Sequence, residues 1–465
     1  MIPTQRVEEV NMFAGSGKTA TFLVLCLVFL WPVSLLSQSN ELDDTAPLLT
    51  LDEAVQMALS GNRSVAIATL EVENSREDVS LAKIKRLPAW NSYALGSQLL
   101  NSLDWTFPKG AFGTFPGIGP VPASDTSVVT PARPSGLVVE QVTQPLSQLY
   151  KIHLSVRAQE LGVGLTSEKL RAERQSVVAS VKQAYCAVLQ SESSLEAAES
   201  MLKGYQELDR VLLQRVDQEA ALKSDSLQVK AQLAQQQYTL VQLRDALQSR
   251  KENLNDLLGR DIRTEFRTEA VPAFSPVEMD LTAAQSRALA QRPEIKEAKL
   301  TESQATYNRR LAKADYIPDV SVAFNYISPL NVNVVPTNIT ALGLEFKWQP
   351  FDWGRRKHEI QQKQIALEQT HAQLLDTESK VLLDVNNCFR KLQETRSLVQ
   401  ATQVEQAWSR EKLHDLTRQF EQRSVLLSDV LQQQAMVAKS NDDYAQALPA
   451  FWTAKADFEK SLGED

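Results

Sequence analysis

Histidine and cysteine are almost missing from this chain, with four of the one and three of the other in 465 residues. His153, His358, His371 and His414 stand at no ligand spacing to acids or cysteines, which excludes a metal centre built on them. Neither a Ser/His/Asp nor a Cys/His arrangement emerges, so the sequence offers no enzyme and calls for no cofactor. Cys26 lies in an N-terminal apolar run; loss of that leader leaves Cys186 and Cys388, each inside a helical pattern. A disulfide between them is conceivable in an exported chain. Two small buried helix residues is the favoured reading. Glycine is scarce too, at 16, while Gln, Leu, Ala and Glu recur, and that balance leans toward helix. A basic surplus is absent: the net charge is −8, which excludes an electrostatic footprint for nucleic acid. Beyond the N-terminus no run reaches transmembrane-helix hydrophobicity, so membrane contact has to come from strands or from partners.

The leader itself reads as an export signal. Arg6 and Lys18 precede an apolar heart from Phe22 to Leu36, followed by Ser37, Gln38 and Ser39 and then an acidic segment. A secretory signal peptide over 1–38, cleaved near Ser37 or Ser39, fits this order, with Met1 or Met12 as the start. An uncleaved anchor fits less well, because Pro32 interrupts a run already shorter than the roughly 20 residues a span needs. Cys26 has no cleavage-like junction beside it, which argues against lipidation. Gly17-Lys18-Thr19 is not a phosphate-binding loop, because Met12 stands where the first glycine belongs and no strand precedes it.

The strongest organisational signal is an internal repeat. Leu51-Asp52-Glu53-Ala54-Val55-Gln56-Met57-Ala58-Leu59 returns as Leu281-Thr282-Ala283-Ala284-Gln285-Ser286-Arg287-Ala288-Leu289, 230 positions on, and at that offset Pro88 meets Pro318. Gln144-Pro145-Leu146 then pairs with Gln349-Pro350-Phe351, 205 apart, and Leu258-Gly259 with Leu462-Gly463, 204 apart. The organisation expected is a linker at 39–49, a first repeat at 50–262, an inter-repeat linker at 263–279 and a second repeat at 280–465. Each copy reads as a helix (50–86 and 280–314), a proline stop, two strands, a second proline and a very long helical pattern. Thr50 followed by Glu53 predicts a capping box.

Strand alternation is sharpest in the second copy. Val320, Val322, Phe324 and Tyr326 alternate with Ser321, Ala323 and Asn325, and Leu342, Leu344, Phe346 and Trp348 alternate with Gly343, Glu345, Lys347 and Gln349. A lone hairpin is marginal in water. A barrel wall with lipid outside and water inside uses the alternation directly, with Tyr326 and Trp348 in an interfacial aromatic girdle. The offset of 205 places Leu137, Val139, Gln141 and Thr143 on the apolar face of the first copy, and Glu140 where Glu345 sits. Trp90, Tyr93 and Leu95 hold no single parity, which allows a register slip. Residues 98–136, rich in proline, glycine and aromatics, form a connection longer by 25 (230 − 205) than its counterpart; it is expected outside the cell, capping or lining the mouth of a barrel.

The proline-free stretch 147–217 spans about 100 Å if wholly helical. Leu233, Leu240, Leu247 and Leu254 then return at seven-residue spacing, and the second copy repeats the plan over 353–423 and 428–462. Antiparallel coiled-coil pairs follow.

These residues resemble the TolC-like outer-membrane efflux proteins, or outer membrane factors, over essentially the whole mature chain. The resemblance is carried by the two first-helix phrases, by Pro350-Phe351-Asp352-Trp353-Gly354-Arg355-Arg356, by Ala184-Tyr185-Cys186-Ala187-Val188-Leu189 and by the closing phrase ending at Gly259. The fold it implies is mainly α with a membrane β part: a duplicated helix–strand–strand–helix unit in which each protomer of a homotrimer gives four strands to a 12-stranded barrel. The function implied is an outer-membrane channel, the exit duct of a tripartite efflux pump or type I secretion system. Its partners would be a periplasmic adaptor (membrane fusion protein), an inner-membrane pump and outer-membrane lipid. Glu345, Lys347 and Gln349 are expected to face the lumen, and Asp415 is the acid nearest the narrow entrance. The hairpin tips implied fall at 219–225 and 423–429, with Glu219, Ser224, Asp225, Arg423, Ser428 and Asp429 as docking candidates. Glu219 and Arg423 replace the glycine usual in that phrase, so the docking surface departs from the family. The alternative, a periplasmic coiled-coil adaptor, is disfavoured because adaptors have one helical hairpin and this chain has two, each with its own strand pair.

Overall fold

The computed structural model describes residues 47–219, 222–269, 280–332, 335–422 and 424–464. The expected signal peptide, most of the linker after it, the inter-repeat linker from 270 and Arg423 lie outside the described residues.

The first copy runs β1 (Leu48–Leu49), α1 (Leu51–Gly61), α2 (Arg63–Ile84), β2 (Ala89–Gln98), β3 (Leu103–Phe107), β4 (Thr114–Phe115), β5 (Gly119–Pro120), β6 (Thr126–Thr130), β7 (Pro134–Pro145), α3 (Gln148–Asp217) and α4 (Lys223–Leu257). After β8 (Arg267–Thr268) the second copy follows: α5 (Leu281–Gln291), α6 (Pro293–Ala314), β9 (Asp319–Leu330), β10 (Ile339–Lys347), α7 (Arg355–Glu421) and α8 (Leu427–Leu462).

Two expectations about the helices change. The first helix of each copy is broken once, at Asn62 and at Arg292, where the backbone turns extended. Asn62 caps the new helix by accepting from the Ser64 N–H at 2.9 Å, and Pro293 supplies the second start, as proline suits a first helical turn. The prolines expected to open the long helices instead end the strand segment: Pro145 closes β7, and Pro350 precedes α7 by five residues. The capping box holds, with the Thr50 N–H donating to Glu53 Oε2 at 3.1 Å and the Glu53 N–H to Thr50 Oγ1 at 3.2 Å.

α3 is one unbroken helix of 70 residues and α7 one of 67, so each runs about 100 Å. Their lower halves pair with α4 and α8, and α3 also packs on α8. The upper half of α3 lies between α2 and α6, and α6 packs on α7. Along α4, Leu240 and Leu254 of the predicted heptad series are buried. Where α1 and α5 meet the long helices, each copy has its own core: Ala54, Ala58, Val181, Tyr185, Val188, Leu254 and Phe266 in the first, Ala288, Ile295, Val385, Phe458 and Leu462 in the second. Tyr185 donates its hydroxyl to the Leu49 carbonyl at 2.8 Å, fastening the parallel β1–β8 pair to α3. Cys186 and Cys388 are free thiols on separate helices.

A four-stranded antiparallel sheet in the order β10-β9-β7-β2 joins the two copies. Ser147, at the start of α3, donates to the Pro318 carbonyl (2.7 Å) and accepts from the Val320 N–H (2.8 Å), and Lys151 pairs with Asp319 at 2.9 Å. The ladder corrects the strand parity. Ala89 pairs with Thr143 and Asp319 with Lys347, so β7 and β10 correspond at an offset of 204. One additional residue in the second copy between strand and proline restores 205 at Pro350. Val138, Glu140 and Val142 therefore share a face with Leu342, Leu344 and Phe346, and Leu137, Val139, Gln141 and Thr143 take the other. A single-residue shift flips every side chain of a strand. No slip occurs in β2, which pairs with β7 without interruption from Ala89 to Gln98.

Candidate functional site

The β9–β10 half of the sheet has two unlike faces, whereas the β2–β7 half is mixed, with Leu137, Val139, Tyr93 and Leu95 on the side of Glu345 and Glu140 and Ser92 on the other. One face of the β9–β10 half carries Val320, Val322 and Phe324 opposite Phe346, Leu344 and Leu342, with Leu342 75% and Leu344 73% exposed. A contiguous apolar patch of this kind marks a surface that lipid or a partner covers. The other face carries Ser321 and Ala323, both buried between larger neighbours, with Gly343, Glu345 and Lys347. Glu345 and Lys347 lie two residues apart on this polar face and form an ion pair at 2.8 Å. Gln349, the third candidate of that group, stands two residues past the end of β10, beyond the ladder.

Glu140 does not join Glu345. It stands on the apolar face, where its carboxylate accepts from Trp90 Nε1 at 2.7 Å and Ser92 Oγ at 2.5 Å. Both donors come from β2, so the acid is satisfied within the hairpin rather than left bare.

At the helix end of the sheet the exposed aromatics gather. Trp90 begins β2, Trp348 follows β10, and Phe351 and Trp353 follow in turn; Phe351 and Trp353 meet edge to face at 4.9 Å between centroids. Tyr326, towards the far end of β9, donates to Asn338 Oδ1 at 2.8 Å. Exposed aromatics at strand ends are what an interfacial girdle uses. Trp353 and Gly354 both adopt left-handed φ (57° and 84°), turning the chain from strand to helix. Asp352 secures the turn by accepting from the Gly354 N–H (3.1 Å) and the Arg356 N–H (3.0 Å), and the Arg356 N–H above all holds its carboxyl below the ordinary range.

The hairpins turn where expected, between Asp217 and Lys223 and between Glu421 and Leu427. Glu219 has φ +55°, the left-handed backbone that glycine adopts freely, which explains the glycine usual at this place. A non-glycine residue there costs roughly 1–2 kcal/mol, against about 0.5–1 kcal/mol of extra chain entropy for glycine. Glu219→Gly should therefore be neutral or stabilising by up to about 1 kcal/mol in denaturant melts, and Glu219→Val destabilising. Ser224 and Asp225 open α4, with a weak hydroxyl–carboxylate contact of 3.4 Å between them. Asp429 caps α8 by accepting from the Leu426 N–H at 3.2 Å, and Ser428 is exposed beside it.

Asp415 is on α7 about one and a half turns before the tip, far along the chain from Glu345 and Lys347. Its carboxylate, that of Glu411 and the His414 ring lie within 4.8 Å of one another, all exposed. His414 thus does have acids at helical spacing, contrary to the reading from sequence; one helix turn brings i, i+3 and i+4 together. Sequence reasoning missed one further contact. The Arg215 guanidinium, near the end of α3, stands 4.5 Å from the centroid of Phe420, near the end of α7, and so links the two tips. A single arginine and a single phenylalanine 205 positions apart give no sequence signal of pairing.

Comparison with known proteins accounts for this arrangement. The outer membrane efflux protein family matches residues 54–260 and 284–464, which covers both copies. Among solved structures, the Campylobacter jejuni CmeC outer membrane channel superposes with a TM-score of 0.73 at 14% identity, over 89% of this chain and 85% of that one. The Vibrio cholerae outer membrane protein VceC gives 0.70 at 15% identity (89% and 96%), and the open state of the Neisseria gonorrhoeae MtrE outer membrane channel gives 0.69 at 18% (89% and 89%). No curated protein sequence matches. Two long helical hairpins, a four-stranded sheet with one lipid-type face, and a family match over both halves lead to one conclusion: this chain belongs to the outer membrane efflux protein family, whose members are channels of the outer membrane with a periplasmic helical tunnel.

Proposed function

We propose that three copies of this chain form a passive exit duct, fed by an inner-membrane pump through a periplasmic adaptor and carrying small molecules or proteins to the exterior. One observation carries the reading most of the way. The sheet has an apolar face but is open at both edges, β2 and β10. An open edge in hydrocarbon leaves backbone groups without partners, at several kcal/mol each. Four strands enclose no lumen, whereas twelve make an ordinary outer-membrane barrel. The helices continue the same two edges. α2 exposes Ile67, Leu70, Leu81 and Ile84, and α7 exposes Ile365, Leu375 and Leu383, apolar stripes that a neighbouring copy would cover.

In this reading the duplicated units, 50–262 and 280–465, are half-walls of one protomer. Glu345 and Lys347 line the lumen, with Gln349 below them, and Asp415 contributes to a ring of carboxylates that raises the local cation concentration. Glu219, Ser224, Asp225, Ser428 and Asp429 form the surface an adaptor meets, together with Arg423. The Arg215–Phe420 contact restrains the two tips against each other.

Single-channel recording of the purified trimer in planar bilayers tests this. The wild type should conduct in small, infrequent openings. Arg215→Ala and Phe420→Ala should each raise open probability about two- to five-fold, since a half-exposed cation–π contact contributes about 0.5–1 kcal/mol. Trimers that never conduct, in either variant, would overturn the exit-duct reading.

A further inference from the structure

The connection between β2 and β7 is an ordered arm. Its root is set by the Leu99 N–H donating to the Arg133 carbonyl at 3.1 Å; β3 pairs with β6 above it; then Phe112 N–H donates to Val121 O at 2.9 Å, and β4 pairs with β5. The base is bolted to the β9–β10 turn of the same chain, where Arg133 Nε donates to the Asn331 carbonyl (2.9 Å) and Asn331 Nδ2 to the Pro134 carbonyl (2.9 Å). The arm's distal end leaves Phe112, Phe115 and Ile118 exposed, Ile118 by 76%. No other part of the protomer among the described residues covers them.

Resting on the trimeric reading, we propose that the three arms fold over the outer mouth and pack these apolar tips against one another, making a lid from second copies of this chain. Three observations favour that occupant. First, the arm grows from β2, the edge strand at the subunit seam, so it continues a surface that already faces another copy. Second, its reach exceeds the opening. Twelve strands about 4.8 Å apart and tilted near 40° give a barrel radius of about 12 Å. A limb running from Leu99 to Pro116 extends up to about 56 Å when straight, and half of that still crosses the axis. Third, residues 99–133 hold only Asp104, Lys109, Asp125 and Arg133 as charged groups, a net charge of zero. A segment resting on an anionic lipid surface draws its binding from clustered Lys and Arg, which this one lacks.

The test is a single cysteine, Ile118→Cys, in the full chain with Cys26→Ser. The native thiols stay silent, because burial pushes both Cys186 and Cys388 up to about 11, where little thiolate exists at neutral pH. Treatment of outer membranes with a short bismaleimide should convert more than half of the chain to a covalent dimer. Oxidation of purified trimers should lower single-channel conductance at least two-fold, and a reductant should restore it. An unlinked cysteine in trimers that still conduct, labelled freely by a bulky impermeant maleimide, would overturn the lid and leave the exit duct standing. Quenching of a fluorophore on that cysteine by nitroxide lipids would overturn it in favour of the membrane surface. Loss of trimers or of all conductance in the wild type would instead sink the exit-duct reading.

Discussion

Replacing Leu344 with arginine should abolish stable assembly in the outer membrane, whereas Gly343→Arg, one residue away, should leave assembly intact. An arginine on the lipid face of a barrel costs about 2–4 kcal/mol at mid-depth, and three copies multiply that cost to roughly 6–12 kcal/mol per trimer. Leu344 lies opposite Val322, within the apolar face and between the aromatic ends of the strands. Gly343 has nothing within 4 Å of where a side chain would begin, and it shares the polar face with Glu345 and Lys347. An arginine there enters water and adds to an existing ion pair. The pair of variants, scored by trimer content of isolated outer membranes and by unfolding in urea, reads the face assignment directly. Equal tolerance at the two positions, or the reverse order, would refute it. The same logic makes Glu140 an informative third position. It is a carboxylate on the face of Leu344 whose two donors are both in β2, so Trp90→Phe should destabilise the wild type more than it destabilises a Glu140→Gln chain.

Gly259→Ala is the other large effect, expected to destabilise each protomer by about 2–5 kcal/mol. Two independent costs add there. The residue has φ +72°, where a side chain is penalised by roughly 1–2 kcal/mol. Its added Cβ would stand 2.1 Å from the Gly61 carbonyl oxygen, a backbone atom with no freedom to move aside, and forced overpacking costs typically 1–3 kcal/mol. The close approach exists because the end of α4 plugs the break between α1 and α2, where Asn62 Nδ2 donates to the Leu257 carbonyl at 2.9 Å. The second copy repeats the device with Gly463 at φ +79°, where an added Cβ would stand 3.0 Å from the Arg292 backbone nitrogen. Arg171 and Gln175, from the first copy, both hold the Gly463 carbonyl at 2.9 Å and so lock one repeat to the other. Gly463→Ala should be milder, because its contacts are nearly an ångström longer. Gly96→Ala, with open space around it, serves as the neutral control. Thermal unfolding of the three variants should rank them in that order.

Much of this fold is written locally. The capping box at Thr50, the proline-free lengths of the long helices, the heptad leucines and the two-residue alternation of β9 and β10 each depend on neighbours within a turn or a strand, so the sequence displays them. The hairpin tips were legible only through the family resemblance, which placed both of them to within a residue or two of where the helices end. Glu219 shows how far such a reading reaches. A missing glycine marked the position, and the backbone there is left-handed.

Tertiary structure decided the rest, for reasons that also follow from physics. The face on which Glu140 lies depends on which β7 residue meets which β9 residue, and a constant sequence offset cannot register one extra residue near Pro350. The breaks at Asn62 and Arg292 exist because the ends of α4 and α8 dock into them, contacts made across some 200 and 170 residues of chain. Arg215 and Phe420 meet only because two separate hairpins descend side by side. Helix and strand are set by short-range periodicity, which a sequence carries on its face; register, docking and tip contacts are set by pairs distant in the chain, and those become visible only when it is folded.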